Sequence, residues 1–186
     1  LLGEDWRIVG ISGFAVRPPR ARREKPRVSA FTSAKIDRIV ALEPDLVLGF
    51  SDLQADIASA LIRRGVEVHV FNQRSVADIL RMLRTLGGMI GCEAKTATLV
   101  AGLEAGLDEV RAAAAQLERR PRVYFEEWDE PQISAIRWVS ELIGIAGGDD
   151  VFPELALEPL GKGRIIADPL EAVRRAPDIV FGSWCG

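Results

Sequence analysis

One histidine and one tyrosine are the whole supply of those residues in this 186-residue chain. A transition-metal site needs several imidazole, thiolate or carboxylate ligands, and His69 alone, inside the run VEVHVF, reads as a strand residue. No metal site is expected. A haem iron wants an axial tyrosine or histidine, and Tyr124 falls in mid-strand. The two cysteines, Cys92 and Cys185, are too few for a disulfide framework and leave one bridge or two thiols open. No stretch of about 18 apolar residues exists, so no helix is expected to span a membrane. No signal-peptide pattern stands at the start, and the compartment stays open. The net charge of −3 argues against a general nucleic-acid binder. Phosphate-cradling loops, Gly-x-Gly-x-x-Gly and nucleophile–base motifs are missing, which argues against an enzyme.

What is present is a core and a rod. Nearly half the residues, 48%, are hydrophobic. Ser75 followed by Asp78 is a helix start, because both side chains can satisfy orphan backbone N–H groups. Val76, Ile79, Leu80, Leu83 and Leu86 follow at helical spacing, and Gly87, Gly88 and Gly91 are expected to interrupt. A second helix is predicted over Glu93 to Arg119, ended by Pro121. Leu103, Leu107, Val110, Ala114 and Leu117 form one stripe, of which Leu103, Leu107 and Val110 are expected to be buried.

Two similar segments flank this rod. KIDRIVALEPDLVLGFS runs from Lys35 to Ser51, and PLEAVRRAPDIVFGSW from Pro169 to Trp184. With Pro44 set on Pro177, Gly49 falls on Gly182. Each reads as a short helix, a Pro-Asp turn and a buried strand. The expected fold class is α/β, two small parallel-sheet lobes joined by a long backbone helix. The divisions are an N-terminal lobe over 1–74, a helical connector over 75–120 and a C-terminal lobe over 121–186. The opening LLGEDWRIVGIS and the stop at Gly186 after a strand suggest a piece of a longer chain.

In lobe one, strands are expected at Arg7–Ser12, Asp45–Phe50 and Val66–Phe71. Gly13 to Ser33 reads as a long loop with a basic run: Arg17, Arg20, Arg22, Arg23, Lys25 and Arg27. That run is a solvated loop or a lip for an acidic ligand. In lobe two, strands are expected at Arg122–Trp128, Arg164–Ala167 and Asp178–Trp184, with a helix from Trp138 to Ala146. Asp168 caps the last helix. Ligands of open parallel sheets sit beyond the carboxyl ends of the strands. Those ends carry Gly13, Phe14, Phe50 and Ser51 in one lobe, and Trp128, Asp129 and Trp184 in the other. Glu126 and Glu127 could do acid–base work only as a pair, but strand alternation points them to opposite faces. Cys185 reads as a strand-end cysteine, since nothing near it in sequence supplies a base.

KIDRIVALEPDLVLGF, the rod, VYFEEWDEPQISAIRWVSELIGIAGGDDVF and DPLEAVRRAPDIVFGSWCG together resemble the helical-backbone substrate-binding proteins of ABC importers. The resemblance covers almost the whole chain. It is nearest to cobalamin-binding proteins, then to iron–siderophore receptors. It implies a corrinoid held between two lobes as transported ligand, an ABC permease as partner and an extracytoplasmic location. A siderophore or haem binder of the same fold, or a cytosolic corrinoid carrier, are the alternatives. It implies ligand contacts from Phe14, Phe50, Trp128, Asp129 and Trp184. Phe50 falls where such proteins often place a tryptophan. Asp56 sits where the family carries an acid that docks onto transporter arginines. The segment after the first strand, FAVRPP, departs from the acid and aromatic usual there.

Overall fold

The computed structural model describes residues 2–184. The chain forms two compact units, Leu1–Gln73 and Arg74–Gly186, each described by itself. Both are mixed α/β.

Unit 1 contains β1 (Ile11–Ser12), α1 (Ala21–Glu24), β2 (Arg27–Ser29), α2 (Ile36–Val40), β3 (Val47–Phe50), α3 (Ala55–Ile62) and β4 (Val68–Phe71). Its strands make two parallel pairs, β1 with β2 and β3 with β4. The expected strand over Arg7–Ser12 shrinks to two residues, because Asp5–Arg7 closes into a 3₁₀ turn. The expected loop over 13–33 is not featureless. It contains α1 and β2, and β2 is the only strand partner of β1 among the described residues. The core gathers Val28, Ile39 and Leu61, with Ile36, Leu42, Val47, Ile57 and Val68 packed on them. The apolar positions of α2, α3 and the three longer strands thus meet in one cluster.

Unit 2 begins with α4 (Val76–Met89) and α5 (Glu93–Ala114). The Ser75 hydroxyl accepts the Asp78 N–H at 3.0 Å, and the Asp78 carboxylate accepts the Ser75 N–H at 3.2 Å. This is the reciprocal cap that the sequence predicts. Gly87 and Gly88, however, do not break α4. Gly87 is buried, and a Cβ on it would stand 2.2 Å from the Thr96 hydroxyl oxygen of α5. The glycine lets the two helices touch. Gly87→Ala is therefore expected to destabilise the fold by about 1–2 kcal/mol, overpacking outweighing the helix propensity gained. Urea unfolding would read this, and adding Thr96→Ala should recover part of the loss.

The long helix α5 has 22 residues and stops five short of Arg119. Arg119 instead holds Asp178, and Arg120 holds Asp149, which turns the chain toward the next strand. Its buried residues are Thr96 and Val100. Leu107 is half-buried, whereas Leu103 and Val110 are exposed, against expectation. The packed seam follows Thr96, Val100, Glu104 and Leu107, so Leu103 and Val110 fall on its flank. Near the end, Ala114 and Leu117 close onto Gly147, where a Cβ would meet them at 2.9 and 2.8 Å.

The rest of unit 2 is built on β5 (Arg122–Asp129). It is followed by β6 (Gln132–Ser134), α6 (Arg137–Ile145), β7 (Asp149–Asp150), α7 (Leu170–Arg174) and β8 (Ile179–Gly182). β7 and β8 pair with β5 in parallel, while β6 folds back antiparallel. Alternation along β5 sends Val123 into a cluster with Ala135, Val139 and Ile143. Tyr124 enters the opposite cluster, with Val151, Phe152, Ile166 and Ala172. The expected strand over Arg164–Ala167 is not one: Gly161–Arg164 is a 3₁₀ turn, and Ile165 makes a single bridge to Ile133. The four residues of β8 are exposed rather than buried, because β5 is its only strand partner among the described residues.

The internal repeat has a backbone cause. Glu43 and Ala176, equivalent when Pro44 is set on Pro177, both adopt left-handed conformations, with φ of 47° and 44°. Each ends its short helix, and the following Pro-Asp redirects the chain into a strand. In the second copy Asp178 accepts two bonds from Arg119 and one from the Arg122 N–H. These bonds, the arginine's first, hold its carboxyl down at about 2. A carboxyl whose folded value lies below the ordinary 3.9 stabilises the fold above that range and loses the effect as pH falls. Melting curves between about pH 4 and pH 2 should therefore fall less steeply for Asp178→Asn than for the parent protein.

Candidate ligand-binding surfaces

In unit 1, β3 ends at Phe50, and the chain then makes an unusual turn. Ser51 is fully buried at φ 72°, ψ 158°, a region that glycine alone adopts readily. Its hydroxyl accepts the Leu53 N–H and donates to the Asp52 carboxylate. Gln54 braces the turn from two sides. Its amide oxygen accepts the Phe50 N–H at 2.8 Å, and its amide nitrogen donates to the Phe31 carbonyl at 2.7 Å. The rings of Phe31 and Phe50 consequently lie near one another, tilted by 43° with centroids 6.5 Å apart. Backbone strain held by several hydrogen bonds is a mark of a functional position. Phe14, one residue past Gly13, is 69% exposed, and its N–H is held by the Ser12 hydroxyl. Asp56 is exposed in the first turn of α3.

In unit 2, the strand ends carry tryptophan. β5 and β8 run in parallel register from Val123 opposite Ile179 to Glu126 opposite Gly182. The Ser183 N–H continues the ladder to the Glu126 carbonyl. Trp128 follows Glu126 by two residues on β5, and Trp184 follows Gly182 by two residues past the end of β8. Both rings are exposed, 39% for Trp128 and 56% for Trp184. The Trp128 indole N–H donates to the Glu130 carbonyl at 3.0 Å, which ties the ring to the β5–β6 turn. The Trp184 ring lies over Gly182, where a Cβ would touch it at 3.4 Å. Asp129 is exposed, and its carboxylate accepts the Glu130 N–H.

The acidic cluster next to these rings is committed to structure. Glu126 accepts the Tyr124 hydroxyl at 3.0 Å, and burial together with that carboxylate pushes the phenol well above its ordinary pKa. Glu127 points the other way, to the guanidinium of Arg164, with 3.1 Å between Nη2 and Oε1. Arg164 is 2% exposed and also donates to the Ser134 carbonyl. The two carboxylates are separated by the strand, and neither is a partner for the other.

Phe14, Phe50 and Asp56 all belong to unit 1, while Trp128, Asp129 and Trp184 belong to unit 2. His69 is half-buried and packs edge-on against Phe71, with centroids 4.3 Å apart. Among the described residues no three His, Cys, Asp or Glu side chains cluster closely enough to hold a metal ion. Tyr124 is in the core with its hydroxyl bonded. Cys92 is a half-buried free thiol, and Cys185 lies outside the described residues. Sequence reasoning missed Phe31, Gln54 and Arg164. Phe31 sits in what reads as loop, and the bonds of Gln54 and Arg164 reach 23 and 37 residues along the chain.

The chain is similar to a vitamin B12-binding protein of Vibrio parahaemolyticus, 26% identical over 185 residues. That alignment covers 95% of this chain and 63% of the relative. A cobalamin-binding protein of Halobacterium salinarum is 25% identical over 170 residues, 90% of this chain and 42% of the relative. The chain thus spans less than two thirds of these relatives' length. A solved vitamin B12 binding protein of Vibrio cholerae superposes with a TM-score of 0.78 at 19% identity, covering 98% of this chain and 70% of the other. A haem-binding protein of Pseudomonas aeruginosa superposes equally well, with a TM-score of 0.79 at 19% identity over 98% and 66%. The two structures establish the fold and not the ligand. The family model described as periplasmic binding protein matches residues 1–186, and this chain therefore belongs to the periplasmic binding protein family.

Proposed function

We propose that the protein is the substrate-binding component of an ABC importer and that its cargo is cobalamin or a related corrinoid. The observation that carries this reading is the pair of exposed tryptophans on neighbouring parallel strand ends, Trp128 and Trp184. Exposed indole faces offer wide, rigid apolar area at small entropic cost, which suits a large planar guest. The strained turn at Ser51, with Phe31 and Phe50 beside it, supplies a second aromatic surface on unit 1. Asp129 is a polar group at the rim of the tryptophan surface. The names of the two curated relatives support the same ligand class.

The corrinoid in this reading is cargo and not a resident cofactor. The site of action is outside the cytoplasmic membrane, and the protein partner is a permease. No helix of the described chain is long and apolar enough to cross a membrane. Asp56, exposed at the start of α3, is the acid that would meet an arginine of the permease, where charge sets register and encounter rate. Titration with cobalamin tests the reading directly. Cobalamin absorbs where tryptophan emits, so saturable quenching of the intrinsic fluorescence is expected. Quenching by a haem or a ferric siderophore, with none by cobalamin, would transfer the assignment to those ligands.

A further inference from the structure

We infer that unit 1 contains an anion-binding site in the cavity under the turn that follows β2, for a small molecule bearing phosphate or carboxylate groups. The inference rests on unit 1 alone and does not depend on the corrinoid reading. The cavity has a volume of about 440 Å³ and is lined by Gly13, Arg27, Ser29, Ser33, Lys35 and Arg38, among others. The lining thus includes three cationic residues and two serines, and no carboxylate. Arginines elsewhere in the molecule are mostly spoken for: Arg20, Arg64, Arg84, Arg119, Arg120 and Arg175 all hold acids. Arg27, Lys35 and Arg38 form no ion pair among the described residues. The acid nearest in sequence, Asp37, is drawn off by Arg64 at 2.6 Å. Three cations without a counter-charge around one hollow repel each other, and a bound anion would relieve that repulsion.

Charge is distributed in the same sense on a larger scale. Unit 1 carries eleven basic and nine acidic residues, unit 2 thirteen and eighteen. Between Arg17 and Arg38 there are eight basic residues and only two acids, Glu24 and Asp37. The walls of the cavity are fixed by backbone bonds. The Gly13 N–H donates to the Ser29 carbonyl at 2.7 Å, the Ala30 N–H to Ser33 at 2.7 Å and the Lys35 N–H to Val28 at 2.9 Å. Two guanidinium groups match the planar oxygen pairs of a carboxylate or phosphate, and the lysine adds a point charge. Because the three cations are exposed, the attraction is screened by salt and is strongest below physiological ionic strength.

The test uses the protein as it stands, with sodium phosphate and sodium citrate as probes and sodium chloride at matched ionic strength as reference. Thermal melts at low ionic strength should show a saturable rise in Tm with phosphate, citrate or both, beyond the chloride curve. Which probe saturates at lower concentration tells phosphate from carboxylate as the preferred group. The double variant Lys35→Gln/Arg38→Gln should raise the apparent Kd about tenfold or more, the usual scale for charge-assisted hydrogen bonds. Arg63→Gln, an exposed cation away from the cavity, should leave the Kd unchanged. A Tm that follows ionic strength alone, or an equal response from the double variant and the parent, overturns the inference. Cobalamin quenching recorded on the same samples reports separately on the tryptophan surface of unit 2.

Discussion

Replacing Glu127 with alanine should remove about 3–5 kcal/mol of folding stability, the cost of stranding a buried charge. The asymmetry of the pair decides which partner matters more. The Arg164 side chain is 3% exposed, while that of Glu127 is 36% exposed. Without Glu127 the guanidinium keeps only the Ser134 carbonyl, and its Nε already lacks a partner in the protein. Without Arg164 the carboxylate can turn toward solvent. Arg164→Met is therefore expected to cost less than Glu127→Ala, although the Ser134 carbonyl then loses its donor. The double replacement Glu127→Leu/Arg164→Met should recover most of the loss, since a well-packed apolar pair often replaces a buried ion pair without penalty. Denaturant unfolding of the parent, Glu127→Leu, Arg164→Met and their double variant closes the cycle, with Glu127→Ala measured beside them. A smaller loss for Glu127→Ala than for Arg164→Met would show that the guanidinium is better solvated than its burial indicates.

That ion pair also shows where a sequence stops being readable. Periodicity announced the long helix, and a serine with an aspartate three residues on announced the start of the helix before it. Both signals are local, and the structure has both. The Pro-Asp repeat was legible for the same reason, because one left-handed residue and one proline fix each turn within a few positions. Gly87 was misread as a helix stop. Its meaning lies in Thr96, on the next helix, and helical spacing carries no information about which face of a glycine another helix will approach. Leu103 and Val110 failed in a related way. An apolar stripe says that one face of a helix packs, but a rotation of one residue separates the stripe from the seam in use. Arg164–Ala167 reads as a strand, yet Arg164 closes a 3₁₀ turn, Ile165 makes a single bridge, and the Arg164 side chain is held by Glu127, far away in sequence. At the strand ends, the rule for parallel sheets picked out Phe50, Trp128 and Trp184 because those positions follow from topology. Phe31 escaped it, since only the reach of Gln54 brings its loop to the end of β3.

Trp128→Ala and Trp184→Ala should each weaken corrinoid binding by about 1–3 kcal/mol, roughly five- to 150-fold in Kd, the scale for losing a large buried apolar contact. The expectation depends on the rings being free to give area to a guest. Their exposures of 39% and 56% leave that area available, and neither ring belongs to a core cluster of unit 2. The same fact predicts a small effect on folding, about 0.5 kcal/mol or less, as for surface substitutions in general. Trp128 should be the costlier of the two to fold without, because its indole N–H ties down the Glu130 carbonyl, while Trp184 only overlies Gly182. Indoles that contact one ligand are coupled through it, and the double variant should then depart from the sum of the singles. Calorimetric titration with cobalamin measures the affinities, and thermal melts of the same samples measure the folding term. A large drop in Tm with unchanged relative affinity would mean that the tryptophans support the sheet rather than the cargo.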